Sequence, residues 1–277
     1  MGYIPVDLDS AIKRELQRRR SSDKTVKAYL YWIHRFLQFS GKTIDKISKK
    51  DVREFLYDLD NRKLAGNTLN VAHMAIRFLF EEVLDKRIWI DIKYSKIPKK
   101  IQRFLTKDET ERMLNAIKNS KHKLMVSLLY SAGLRVSELI NLKIEDLHFE
   151  EKYGFVRNGK GGKDRVFVIA ERIRVPLNLI CQNRSPSDIV FVTNRNESYS
   201  IRTIQVIIRK AAKNANIFNF KEIHPHTMRH SFATHLIQNN YTLSDVQTSL
   251  GHKSPETSMI YTHSAGRLIG IKSPLDF

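Results

Sequence analysis

Near the C-terminal end of this 277-residue chain, His226-Thr227-Met228-Arg229-His230 is followed by Leu250-Gly251-His252 and, nine residues later, by Tyr261. Upstream stand Gly133-Leu134-Arg135-Val136-Ser137-Glu138 and Gly159-Lys160-Gly161-Gly162-Lys163-Asp164-Arg165. Together they offer guanidinium, ammonium and imidazole donors and one late phenol. Transfer at a phosphodiester passes through a pentavalent centre with extra negative charge on its non-bridging oxygens, which guanidinium groups neutralise through paired hydrogen bonds. Arg135 and Arg229 are the expected pair.

His226, Arg229 and His230 stand at i, i+3 and i+4, so a helix presents them on one face. His226 follows Pro225 at the helix start, where the dipole also favours an anion. One turn beyond Arg135, Glu138 can orient the guanidinium or a neighbouring base. His226 and His230 also have the spacing of a zinc-binding helix. Thr227, however, stands where that motif needs Glu, and no carboxylate ligand follows, so no metal site is expected. His230 reads as a packing residue. Glycines around Lys160 permit a tight turn and close approach to a backbone. Lys163 and Arg165 read as phosphate-gripping side chains. Gly251 reads as a helix cap that turns His252 inward. A free tyrosine ionises near pH ~10, so a phenol attacking at neutral pH needs a base and positive surroundings.

In this order and with these neighbours, the segments resemble the tyrosine site-specific recombinases of the phage-integrase family, Xer type, especially its archaeal XerA-like members. The resemblance covers nearly the whole chain. It implies six catalytic residues: Arg135, Lys160, His226, Arg229, His252 and the nucleophile Tyr261, with Glu138 in support. Arg229 would clamp the phosphate, and His226 would hydrogen-bond it or help to accept the tyrosine proton. Lys160, rather than Lys163, would protonate the departing 5′ oxygen. The implied reaction cuts double-stranded DNA at specific sites through a 3′-phosphotyrosyl bond and rejoins it without ATP, metal or other cofactor. Resolution of chromosome dimers is the expected task, carried out by a homotetramer on two duplexes, with a lower-order oligomer allowed without DNA. A C-terminal tail would dock on a neighbouring protomer or, without DNA, fold back on its own. The rivals are a mobile-element integrase of the same chemistry, a type IB topoisomerase and a noncatalytic DNA-binding regulator.

The elements that must position these residues fall into two domains, both mainly α. Between Asp23 and Phe39, Val26, Tyr29, Leu30, Ile33, Phe36 and Leu37 recur at helical spacing. Ser48 is an expected N-cap for a helix carrying Val52, Phe55 and Leu56. The break at Gly66-Asn67-Thr68 precedes a helix with Leu69, Val71, Ile76, Leu79 and Phe80. Residues 1–92 therefore read as a four-helix bundle, which the resemblance makes a SAM-like DNA-binding domain. A basic, proline-broken linker, 93–104, includes Lys99 and Lys100 as further DNA contacts. Residues 105–263 form the expected catalytic domain, mostly helical, with a small antiparallel sheet. Its elements begin with a helix capped at Thr106 and a second from about Lys121 to Ser131. A hairpin over Tyr153–Ile169 and a short strand at Ile189–Thr193 follow. Helices at about Ile201–Ala215, Thr227–Asn239, Leu243–Leu250 and Pro255–His263 complete the domain. Residues 264–277 form the docking tail.

Bulk properties agree with a polyanion partner. Lys and Arg total 48 against 29 Asp and Glu, a formal charge of +19, which is the footprint of a nucleic-acid binder. The single Cys181 excludes an internal disulfide framework and a multi-cysteine zinc site. The chain shows neither a signal sequence nor a membrane span, so a cytoplasmic protein is expected.

Overall fold

In the computed structural model the chain divides into two compact units, residues 1–100 and 101–277. The structure describes residues 7–86, 103–157, 164–250 and 271–277. The expected linker contacts Lys99 and Lys100 lie outside them, and so do Lys160, Lys163, His252, Tyr261 and the helix expected at Pro255–His263.

The first unit is helical. Helix α1 (Leu8–Arg18) opens with Asp7, whose side chain accepts from the backbone of Ser10, and buries Ile12 and Leu16. Helix α2 (Asp23–Ser40) starts at Ser22 and stops at Gly41, whose φ of 58° lies in the left-handed region that glycine adopts without strain. A reciprocal Ser48–Asp51 capping box starts α3 (Lys49–Asn61). Asp51 also takes the Lys42 ammonium at 2.6 Å. Helix α4 (Gly66–Phe78) runs into a π-helical turn, Leu79–Val83. The apolar faces meet around Phe36, whose ring lies 5.4 Å from Phe55 and 6.1 Å from Phe80. The spacing of apolar residues revealed the last three helices. Helix α1 escaped it because Lys and Arg surround its two buried residues.

The second unit begins with α5 (Lys107–Asn115), opened by a capping box of Thr106 and Glu109. Helix α6 (Ser120–Ser131) is buried from Leu124 onward. It ends at Gly133, φ 56°, where a side chain would meet the Phe232 ring at 2.6 Å. Short α7 (Val136–Ile140) follows. The sheet is β1 (Leu147–His148), β2 (Tyr153–Val156) and β3 (Arg165–Val168), antiparallel in that order. Helices α8 (Glu171–Cys181), α9 (Ile201–Asn214), α10 (Pro225–Gln238) and α11 (Leu243–Leu250) complete the unit.

One expectation changes, and one helix comes unannounced. The segment Ile189–Thr193 forms no strand; it makes only the single-residue bridges Lys143–Ile189 and Val192–Ser198. The run Pro176–Cys181 belongs to α8, with Pro176 inside the helix and Ile173, Leu177 and Cys181 on its buried side. The last seven residues pack on their own catalytic unit. Ile271 and Leu275 are buried, and Ser273 donates to the Ser131 carbonyl at 2.9 Å. Asp276 accepts from the first backbone N–H groups of α8, Glu171 at 2.9 Å and Arg172 at 3.2 Å. The Phe277 ring stacks on Tyr241.

Candidate active site

Three separate segments deliver arginines to one buried carboxylate. Arg135 is the N-cap residue of α7, and Glu138, in its first turn, caps it: the carboxylate accepts from the Arg135 backbone N–H at 2.8 Å and from its Nη1 at 2.6 Å. From β3, Arg165 Nη2 donates at 2.7 Å to the oxygen that also takes the Arg135 backbone N–H. From α10, Arg229 Nη1 comes within 3.9 Å of that same oxygen. Three guanidiniums around one carboxylate leave two positive charges uncompensated. That surplus suits a phosphate with a developing charge.

Two helix C-termini also converge here. Arg229 Nη1 donates to the Gly133 carbonyl and Nη2 to the Leu250 carbonyl, both at 2.6 Å. Arg165 Nη1 donates to the Ser249 carbonyl at 2.7 Å, and its Nη2 reaches Gly133 O at 3.5 Å. The partial negative charge at the ends of α6 and α11 steadies the cations. Gly133 is thus doubly constrained: its backbone needs φ > 0, and its missing side chain lets the Phe232 ring close on the turn.

Exposure separates the arginines. The Arg135 side chain keeps 21% of its surface open, against 6% for Arg165. Arg165, expected as a DNA contact, is instead a buried strut, because its donors point at protein oxygens. Burial, and then Arg165 and Arg135, pull the Arg229 pKa down to about 9, against the opposing pull of Glu138; the group remains a cation at neutral pH. Burial likewise lowers Arg165. Burial works to raise the Glu138 pKa, but Arg165, the Arg135 backbone and both guanidiniums outweigh it and hold the group below its ordinary value.

Helix α10 brings the histidines. Pro225 occupies its first turn and His224 is the N-cap, accepting from the Thr227 backbone. His226 is exposed, with its ring centroid 6.0 Å from that of His224. His230 is half-buried, and its pKa is lowered by burial and by His226, His224 and Arg229. Sequence reasoning missed His224, although a residue just before a first-turn proline is a legible N-cap. Among the described residues no group of three His, Cys, Asp or Glu could hold a metal. Nor is any helix there long and apolar enough to cross a membrane.

Comparison with known proteins gives the arrangement its family. Residues 103–267 match the phage integrase family, and residues 8–90 match its N-terminal SAM-like domain. The chain belongs to the phage integrase family. It is therefore a tyrosine recombinase, an enzyme that cuts and rejoins DNA, with the fold of a SAM-like helical domain followed by a catalytic domain. The tyrosine recombinase XerA of Pyrococcus horikoshii is 34% identical over 252 residues, covering 89% of this chain and 85% of that one. A crystal structure of XerA recombinase is similar at 32% identity and a TM-score of 0.51, over 94% of this chain and 95% of that one. XerH recombinase bound to its difH substrate before cleavage shares the fold, with a TM-score of 0.67 at 22% identity over 96% of this chain and 81% of that one.

Proposed function

We propose that this tyrosine recombinase acts at specific sites in double-stranded DNA through a 3′-phosphotyrosyl intermediate, with resolution of chromosome dimers as its task. Tyr261 attacks the phosphorus, the bond to the 5′ oxygen breaks, and Lys160 gives that oxygen its proton. Arg135 and Arg229 neutralise the non-bridging oxygens, His252 donates a further hydrogen bond to them, and His226 hydrogen-bonds them or helps to take up the phenolic proton. The phosphotyrosyl ester conserves the energy of the cut linkage, so the 5′ hydroxyl of another strand reverses the step without ATP or metal. Lys99, Lys100 and Lys163 add phosphate contacts.

The observation that carries this reading is the Glu138 cluster. Arg135 and Arg229, drawn from distant motifs, share one acidic anchor and a surplus of positive charge, and exposed His226 lies one turn before Arg229 on α10. The similarity to XerA supports the Xer task. Recombination between two sites implies a homotetramer on two duplexes, with the protein in the cytoplasm where the chromosome lies. Docking of tail residues 264–277 on a neighbouring protomer must exchange the contacts that Ser273 and Asp276 make at home.

The decisive experiment replaces Tyr261 with Phe and incubates both proteins with a nicked suicide duplex carrying the target site. Wild type should accumulate a covalent protein–DNA adduct and Tyr261→Phe none. Equal adducts would remove Tyr261 from the role. A plasmid with two target sites should yield recombinant circles, whereas relaxation of a single-site plasmid without recombinants would make the protein a topoisomerase.

A further inference from the structure

We infer that Arg165 is a positioning residue for strand cleavage: it ties the C-terminal end of α11 to the carboxylate that holds Arg135. The inference rests on the recombinase reading above. Three elements meet at this side chain. One nitrogen of its fork spans Glu138 and the Gly133 carbonyl, and the other takes the Ser249 carbonyl. Only a planar guanidinium reaches acceptors in three directions, since a lysine ammonium is a point charge on a flexible stem.

Stability alone is a poor reason for this residue. Arg165 is almost fully buried, and its Nε has no hydrogen-bond partner among the described residues. Burying a charge while leaving a donor orphaned generally stabilises less than an apolar side chain of similar volume. What the arginine supplies is geometry.

The backbone carbonyls make the division of labour visible. Ser249 O is held by Arg165 and the next one, Leu250 O, by Arg229. When Arg229 turns its donors toward a phosphate, the grip on Leu250 weakens, but Arg165 still fixes the preceding residue. The chain then leaves α11 toward His252 from a defined point. Loss of Arg165 should therefore slow the covalent step while leaving duplex affinity intact.

The test compares full-length wild type, Arg165→Lys, Arg165→Met and a destabilised control, Leu177→Ala, which opens the buried side of α8. Arg165→Lys keeps a buried charge, so the comparison survives if Arg165→Met does not fold. Amide exchange is followed at residues 246–250 without DNA. The maximal rate of adduct formation and the half-saturating duplex concentration are then measured on the suicide substrate. Both Arg165 variants should speed exchange in the last turn of α11 by about tenfold or more. They should lower the maximal rate about 100-fold, the scale of a misplacement near 1 Å, with unchanged half-saturation. Leu177→Ala should lose thermal stability without either signature. Wild-type exchange in Arg165→Lys, or an intact maximal rate, would overturn the inference, as would an equal rate loss in Leu177→Ala. If wild type itself forms no adduct, the recombinase reading falls, and unchanged exchange at 246–250 would separately overturn the anchoring.

Discussion

Asp51 and Glu138 use the same local device in the two units. Each sits in the first turn of a helix, α3 or α7, each accepts from the backbone N–H of the N-cap residue three positions before it, and both are buried. Asp51 then takes one cation, Lys42, and the account balances. Glu138 takes Arg135 and Arg165 and has Arg229 close by, which leaves positive charge over. A capping carboxylate makes a helix start; a site begins where the neighbouring charges fail to cancel.

Removing each carboxylate should expose that difference most strongly. Glu138→Ala leaves buried arginines facing one another and should cost about 3–5 kcal/mol of unfolding free energy, the range for breaking a buried ion pair. It should also abolish adduct formation. Asp51→Ala should cost about 1–2 kcal/mol, as lost caps do, with adduct formation intact. Chemical denaturation and the suicide substrate read both quantities, and equal losses would dissolve the contrast.

Gly133→Ala probes the turn that feeds the cluster. A side chain there is strained by φ 56° and overlaps Phe232, so about 1–3 kcal/mol should be lost. A change within experimental error would mean that the turn relaxes freely.

Next in size is anion binding. Vanadate, which can mimic a pentavalent phosphorus, should stabilise the protein by about 1.4 kcal/mol at ~10 times its dissociation constant. The shift in melting temperature should vanish in Arg229→Ala and persist in Asp51→Ala. Persistence in Arg229→Ala would place the anion elsewhere.

Acid should sharpen the contrast least. Both carboxyls titrate lower in the folded protein than in the unfolded chain, so the unfolded state binds more protons between the two values. Their contribution is complete above the unfolded pKa and fades as pH falls through the folded one. For Asp51, whose Lys42 and Ser48 bonds lower its pKa from 3.8 to about 2, the window is roughly pH 4 to 2. Glu138 begins to lose its share below its ordinary 4.5. Urea midpoints across pH 6 to 3 should fall less steeply for Glu138→Gln than for wild type; parallel curves would show that its charge state does not matter to folding.

These contrasts also mark what the sequence could reveal. Helices α2, α9 and α11 were legible because one apolar face repeats at helical spacing, α6 because Leu124, Met125, Leu128 and Leu129 cluster along it although it is buried all round, and α5 because Thr106 and Glu109 announce its start. Helix α8 was hidden by Pro176, whose missing N–H argues against a helix interior although packing of Ile173 and Leu177 outweighs it. Motif order pointed to Arg135 and Arg229, and the fold gathers them at Glu138. Arg165 misled for a physical reason. A basic residue beside a glycine-rich turn usually faces solvent, and only the arrival of α11 and of the Gly133–Glu138 segment beside β3 surrounds this one with acceptors. Long-range burial of that kind leaves no local periodicity to read.

The bare Cα of Gly133 finally bears on engineering. Any library meant to alter the enzyme's target preference has to leave that position and Phe232 untouched, because a single added methyl would shift the carbonyl on which Arg229 and Arg165 both draw. Substitutions at outward-facing positions such as Arg202 and Val206 of α9 leave that geometry alone.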